Sequence, residues 1–126
     1  MIEKISHFTD LIVWKEAHAM ILVIYAITKK YPSDEKFSLS NQMRRAAISI
    51  TSNIAEGFGR LGKKDKAQFY LIARGSLIEL ENQLIISKDL KYLNVNDFKS
   101  IESNVMSVHR LLNGLIKATI NNKHVH

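Results

Sequence analysis

The 126-residue chain has no cysteine, one proline and five glycines. Without thiols it can build no disulfide scaffold, thiolate zinc site, iron–sulfur cluster or cysteine nucleophile. That fits a reducing compartment, and the expected location is the cytoplasm. The scarcity of glycine and proline excludes collagen-like and low-complexity classes. Long apolar runs are also missing. The longest, Ala19 to Ile27, falls well short of the roughly 20 residues that span a bilayer. The opening MIEKISHFTD mixes acids with bases and has no apolar stretch, so it does not read as a secretory leader. What is present, 46% hydrophobic and 24% charged residues, suits one folded domain over residues 1–126 with a core of its own.

Acidic residues are outnumbered, 12 against 18 Lys and Arg, for a net charge of +6. Such a balance favours an acidic partner such as nucleic acid. The excess is concentrated: residues 57–74 carry Arg60, Lys63, Lys64, Lys66 and Arg74 against Asp65 alone.

Apolar residues recur at steps of three and four, the helical period. Leu11, Trp14, His18, Ile21, Tyr25 and Thr28 predict a helix over about 10–30, started by Thr9 or Asp10 and stopped at Pro32. Met43, Ala46, Ile50 and Ile54 predict a second over 39–58, Phe69, Ile72, Leu80 and Leu84 a third over 63–91, and Ile101, Val105, Val108, Leu112 and Leu115 a fourth over 95–121, capped by Asn94 or Asn96. No alternation long enough for a strand occurs. The expected class is all-α. Short links between long helices predict an up-down-up-down antiparallel four-helix bundle.

One bundle does not absorb all the apolar surface. Helix one is apolar all round from Ala19 to Ile27, and helix three carries adjacent pairs at Leu71/Ile72 and Leu77/Ile78 and a triplet at Leu84/Ile85/Ile86. A core-facing helix needs only about three positions in seven. Large apolar patches rarely stay exposed on monomers, so a homo-oligomer is expected.

The stretch Gly57-Phe-Gly59-Arg-Leu-Gly62-Lys63-Lys64 matches both a dinucleotide fingerprint and most of a P-loop. Both motifs must follow a β-strand, and Lys64 stands where a P-loop needs a hydroxyl for Mg²⁺, so neither enzyme reading holds. Gly57 and Gly59 instead read as a left-handed stop to helix two, with Gly62 opening helix three. The start of helix three carries a partial positive charge that attracts phosphate. Arg60, Lys63, Lys64 and Lys66 surround it, Arg74 follows, and antiparallel topology brings Lys4, Lys117, Lys123, His124 and His126 to the same end. This end is the candidate nucleic-acid contact.

Helix two also carries a polar stripe, Gln42, Arg45, Ser49, Asn53 and Glu56, and helix three a matching one, Ser76, Glu79 and Gln83. An antiparallel hairpin turning near residue 62 pairs Gln42 with Gln83, Arg45 with Glu79 and Ser49 with Ser76. A buried Arg45–Glu79 ion pair would set register and not catalysis. His18 and His109 read as lone core histidines, Trp14 and Tyr25 as core aromatics, and His124 and His126 as a weak metal pair on a loose end. No Glu-x-x-His pair for a di-iron bundle and no catalytic triad is evident. No catalytic residue, cofactor, metal or small-molecule substrate is therefore expected.

Three segments carry a family resemblance: Phe8-Thr-Asp-Leu-Ile-Val-Trp-Lys15, Leu39 to Arg60 with its Ser49-x-x-Ser52-Asn-Ile-Ala-Glu-Gly57 core, and Phe69 to Glu81. Together they resemble the bacterial four helix bundle proteins, a family that includes the 23S rRNA intervening-sequence proteins and the accessory variability determinant of diversity-generating retroelements. The resemblance implies a homopentameric ring. It also implies a partner such as structured RNA, a ribonucleoprotein or a reverse transcriptase, met through basic surface. Gln42, Arg45, Ser49, Asn53, Glu56, Ser76 and Glu79 coincide with its motif residues and read as scaffold. The expected function is a non-enzymatic, RNA-binding oligomer. The rival is a protein-interaction adaptor that touches no nucleic acid.

Overall fold

The computed structural model describes residues 4–121. A 3₁₀ turn, Phe8–Asp10, precedes α1 (Ile12–Thr28), and a second, Ser33–Glu35, separates it from α2 (Leu39–Gly59). Then follow α3 (Lys63–Asp89) and α4 (Val95–Asn121), with no strand among the described residues. Helix α2 packs on α3, α3 on α4, and α1 on both α2 and α4, so α1 and α3 lie on a diagonal. Cross-helix contacts fix the antiparallel sense of α2 and α3, where Gly57 lies against Tyr70, Ser49 meets Ser76 and Met43 meets Ser87; Arg74 meets Asn113 across α3 and α4, and Glu16 meets Ser107 across α1 and α4.

The helix starts differ in chemistry. Asp10 caps, but one turn early: its carboxylate accepts the N–H groups of Ser6 and His7, both at 3.0 Å, and closes the first 3₁₀ turn. Those two bonds, Ser6 first, hold its pKa below the usual carboxylate range. Asn94, and not Asn96, caps α4 by accepting the Asp97 N–H at 2.8 Å. At the other end of α3, Lys91 takes φ of 64° and the Tyr92 N–H bonds back to the Ser87 carbonyl. A left-handed residue there stops the helix just short of the expected Lys91.

Met20, Ile24, Met43, Ile50, Leu77 and Leu112 are among the fully buried side chains of the core. Tyr70 joins them, and its Oη finds no hydrogen-bond partner among the described residues. Burial pushes its pKa up to about 12. A raised pKa means the native state holds the phenolic proton more tightly than the unfolded chain does. The resulting stabilisation is complete below pH ~10 and is lost as the pH rises through about 12, by roughly 2–3 kcal/mol. Tyr70→Phe removes an unpaired buried hydroxyl. It is expected to raise stability at neutral pH by about 1 kcal/mol and to flatten this alkaline loss in urea unfolding at stepped pH.

Three expectations about single residues are corrected. No glycine has positive φ; Gly57 and Gly59 continue α2 as helix. Gly57 is there because a Cβ would lie 2.7 Å from Tyr70 Cε1, so the position serves close helix approach. His18 is exposed and stacks on the half-buried Trp14, ring centroids 4.8 Å apart, instead of entering the core.

The surplus apolar residues of α3 stay outside. Leu71, Ile78 and Ile85, seven residues apart, are 38%, 49% and 42% exposed, and Ile72 and Ile86 flank them. They occupy the helix face turned away from the bundle. Leu22 on α1 is 61% exposed.

Candidate nucleic-acid interface

The basic end is built by the α2–α3 turn and the close of α4. Helix α2 ends at Gly59, Arg60 turns out in extended geometry, and Gly62 opens α3 without a side-chain cap. Leu61 between them is fully exposed. Lys63 and Lys64, in the first turn of α3, line a recess of about 350 Å³ with Gln68, Leu71 and Ile120, so α4 does end beside them. Lys117 is exposed one turn back on α4. Lys123, His124 and His126 lie outside the described residues.

The six expected cations among the described residues do not act alike. Lys66 Nζ turns inward, donating to the Phe58 carbonyl at 2.6 Å and the Gly57 carbonyl at 3.4 Å. It closes the carbonyl end of α2, where a cation complements the helix dipole, and burial pushes its pKa down. Arg60 pairs with Glu56 at 3.2 Å and lies 4.6 Å over the Phe69 ring. Arg74 donates to Asn113 Oδ1 at 2.9 Å, tying α3 to α4. Lys63, Lys64 and Lys117 are left exposed and without a hydrogen-bond or ion-pair partner among the described residues. Lys66→Met should therefore cost about 1–2 kcal/mol in urea unfolding, and leave the salt dependence of any RNA binding unchanged.

The polar stripe is part seam and part surface. Ser49 and Ser76 hydroxyls meet at 2.8 Å, as the register predicts, and Asn53 Nδ2 donates to the Ser49 carbonyl and hydroxyl at 2.8 and 3.1 Å. Arg45 and Glu79 are both exposed and form no ion pair among the described residues; Gln42 is exposed, while Gln83 is buried and its Oε1 has no partner among the described residues. Met43, Ala46, Ala47 and Ile50 fill the α2 core face, which turns Gln42 and Arg45 to water. Glu56, expected in the stripe, is the surface partner of Arg60.

Sequence reasoning gave Arg45 a partner and none to Arg44; the structure reverses them. Arg44 Nε donates to Thr28 Oγ1 at 2.9 Å, with its guanidinium 4.6 Å over the Tyr25 ring. The available signal was Pro32, the turn that returns the chain so that the end of α1 meets the start of α2. Among the described residues no group of three or more His, Asp or Glu could hold a metal, and no helix is long and apolar enough to cross a membrane.

Comparison with known proteins accords with the geometry. A solved protein of unknown function from the S23 ribosomal protein family of Bacteroides thetaiotaomicron shares the fold, with a TM-score of 0.78 at 24% identity over 84% of this chain and 96% of that one. No curated protein matches the chain. The family match runs from Thr9 to Gly114, across all four helices and the whole α2–α3 turn: the chain belongs to the 23S rRNA-intervening sequence protein family.

Proposed function

We propose that the chain is a non-enzymatic, cytoplasmic, homo-oligomeric bundle that binds structured RNA or a ribonucleoprotein through its basic end. The observation that carries this reading is the exposure of Lys63, Lys64 and Lys117 beside the start of α3, without a partner among the described residues. Backbone N–H groups at such a start add to the attraction for phosphate. The family description, which names an rRNA element, points to the same class of ligand. Assembly is supported by the aliphatic face of α3, which water covers in a lone bundle and a second copy would dry. A ring of five subunits, the number the family resemblance implies, would gather five basic ends.

Salt-titrated fluorescence anisotropy with a labelled RNA hairpin tests the RNA reading. Each phosphate contact releases counterions, so log K should fall steeply with log salt. The triple variant Lys63→Gln/Lys64→Gln/Lys117→Gln should lose about one unit of slope per lysine in contact. Salt-dependent binding that the triple variant leaves intact would overturn the site, and no RNA binding at low salt would favour the adaptor reading.

A further inference from the structure

The opposite end of the bundle holds a second cationic site. Where α1 hands over to α2, a recess of about 260 Å³ is lined by Lys29, Lys36, Arg44, Ser33 and Ser40, with Tyr31 and Pro32 among its walls. Three cations face it, and among the described residues no carboxylate does. Of the nearby acids, Glu35 is already engaged by the hydroxyls of Ser38 and Tyr92.

Two features mark the recess as a built site. Arg44 is held in place by Thr28 and the Tyr25 ring, and its terminal NH₂ groups have no partner among the described residues. Thr28 is held in turn, donating to the Ile24 carbonyl at 2.7 Å. Ser40 is 95% buried (5% exposed), lines the recess, and its hydroxyl has no hydrogen-bond partner among the described residues. A fixed guanidinium, a nearly buried free hydroxyl and two lysines suit a phosphate oxygen cluster.

We propose that this recess binds a terminal phosphate group, a phosphomonoester. At about 260 Å³ the recess has room for a phosphate headgroup, with the rest of a larger ligand left outside. Its charge decides for a monoester, which carries about −1.5 to −2 at neutral pH, against one negative charge on an internal diester. The group could belong to a free nucleotide or to the 5′ end of an RNA.

Inorganic phosphate is the first probe, read as a thermal shift at fixed ionic strength. The wild type should gain several degrees at millimolar phosphate. Ser40→Ala and the surface double variant Lys29→Gln/Lys36→Gln, which leaves the core untouched, should lose most of that gain, as should Arg44→Lys, which keeps the charge but not the fork. Uridine 5′-monophosphate and a pair of short RNAs, one 5′-phosphorylated and one 5′-hydroxyl, then identify the source. A preference of tenfold or more for the phosphorylated RNA assigns an RNA end, and equal binding of the mononucleotide assigns a free nucleotide. No phosphate shift, a shift that survives all three variants, or Arg44-dependent binding of both RNAs alike would overturn the proposal. Because Lys63, Lys64 and Lys117 are untouched, that failure is separate from failure at the other end of the bundle.

Discussion

Gly57→Ala is expected to destabilise the bundle by about 1–2 kcal/mol, although alanine is the better helix former. In an open helical position the exchange would gain about 1 kcal/mol. At Gly57 the new Cβ would meet Tyr70 Cε1 at 2.7 Å, Cδ1 at 2.9 Å and the Lys66 carbonyl oxygen at 3.1 Å. Tyr70 is fully buried, so its ring has no free space to swing into, and the Lys66 carbonyl belongs to the backbone of α3. Helices α2 and α3 must part, and overpacking of that kind costs about 1–3 kcal/mol. Gly114→Ala supplies the contrast: it is helical, with nothing within 4 Å of its Cβ position, and should gain about 1 kcal/mol. Urea unfolding of the two variants at one protomer concentration should give opposite signs. Equal gains would remove the close contact from the account.

The pair Ile78→Glu/Ile85→Glu should leave the fold intact and abolish assembly. Both side chains are more than 40% exposed in the single bundle, and surface exchanges of that kind usually change stability by less than about 0.5 kcal/mol. In the assembled state the same positions would lie against a second copy. Full burial of an isoleucine is worth about 1.5–3 kcal/mol, so half of that is lost at each site, and an unpaired carboxylate in the contact costs more. The expected weakening is at least about 100-fold per contact. Circular dichroism should report unchanged helix content while the particle shrinks.

How far the residues speak for the fold depends on which physical property is asked of them. Periodicity placed all four helices within two residues of their observed ends, because three- and four-residue spacing follows directly from helix geometry. It also exposed the surplus on α3, since no single core can cover both Leu77 and Ile78. The α2–α3 register was legible at Ser49 and Ser76, where two small hydroxyls can only meet if the helices are close. Arg45 and Glu79 share that register yet stay apart: they lie at the margin of the seam, where a small rotation decides between a partner and water. Gly57 shows a second limit. A glycine used for φ and a glycine used for space look alike until the neighbour, Tyr70, is placed against it. Lys66 shows a third, because charge density counts a cation without showing that it turns back onto the Phe58 carbonyl. Arg44 needed the two ends of the Pro32 turn to be joined first. What the sequence conveyed least well was thus the division of one basic cluster into capping, bridging and free members.

Sedimentation velocity at micromolar concentration, wild type beside Ile78→Glu/Ile85→Glu, decides whether identical copies close over the outer face of α3. The wild type should run as a single species several times the 14.4 kDa chain mass, and the double variant at one chain mass. A wild-type particle that runs alone as one chain would contradict that closure.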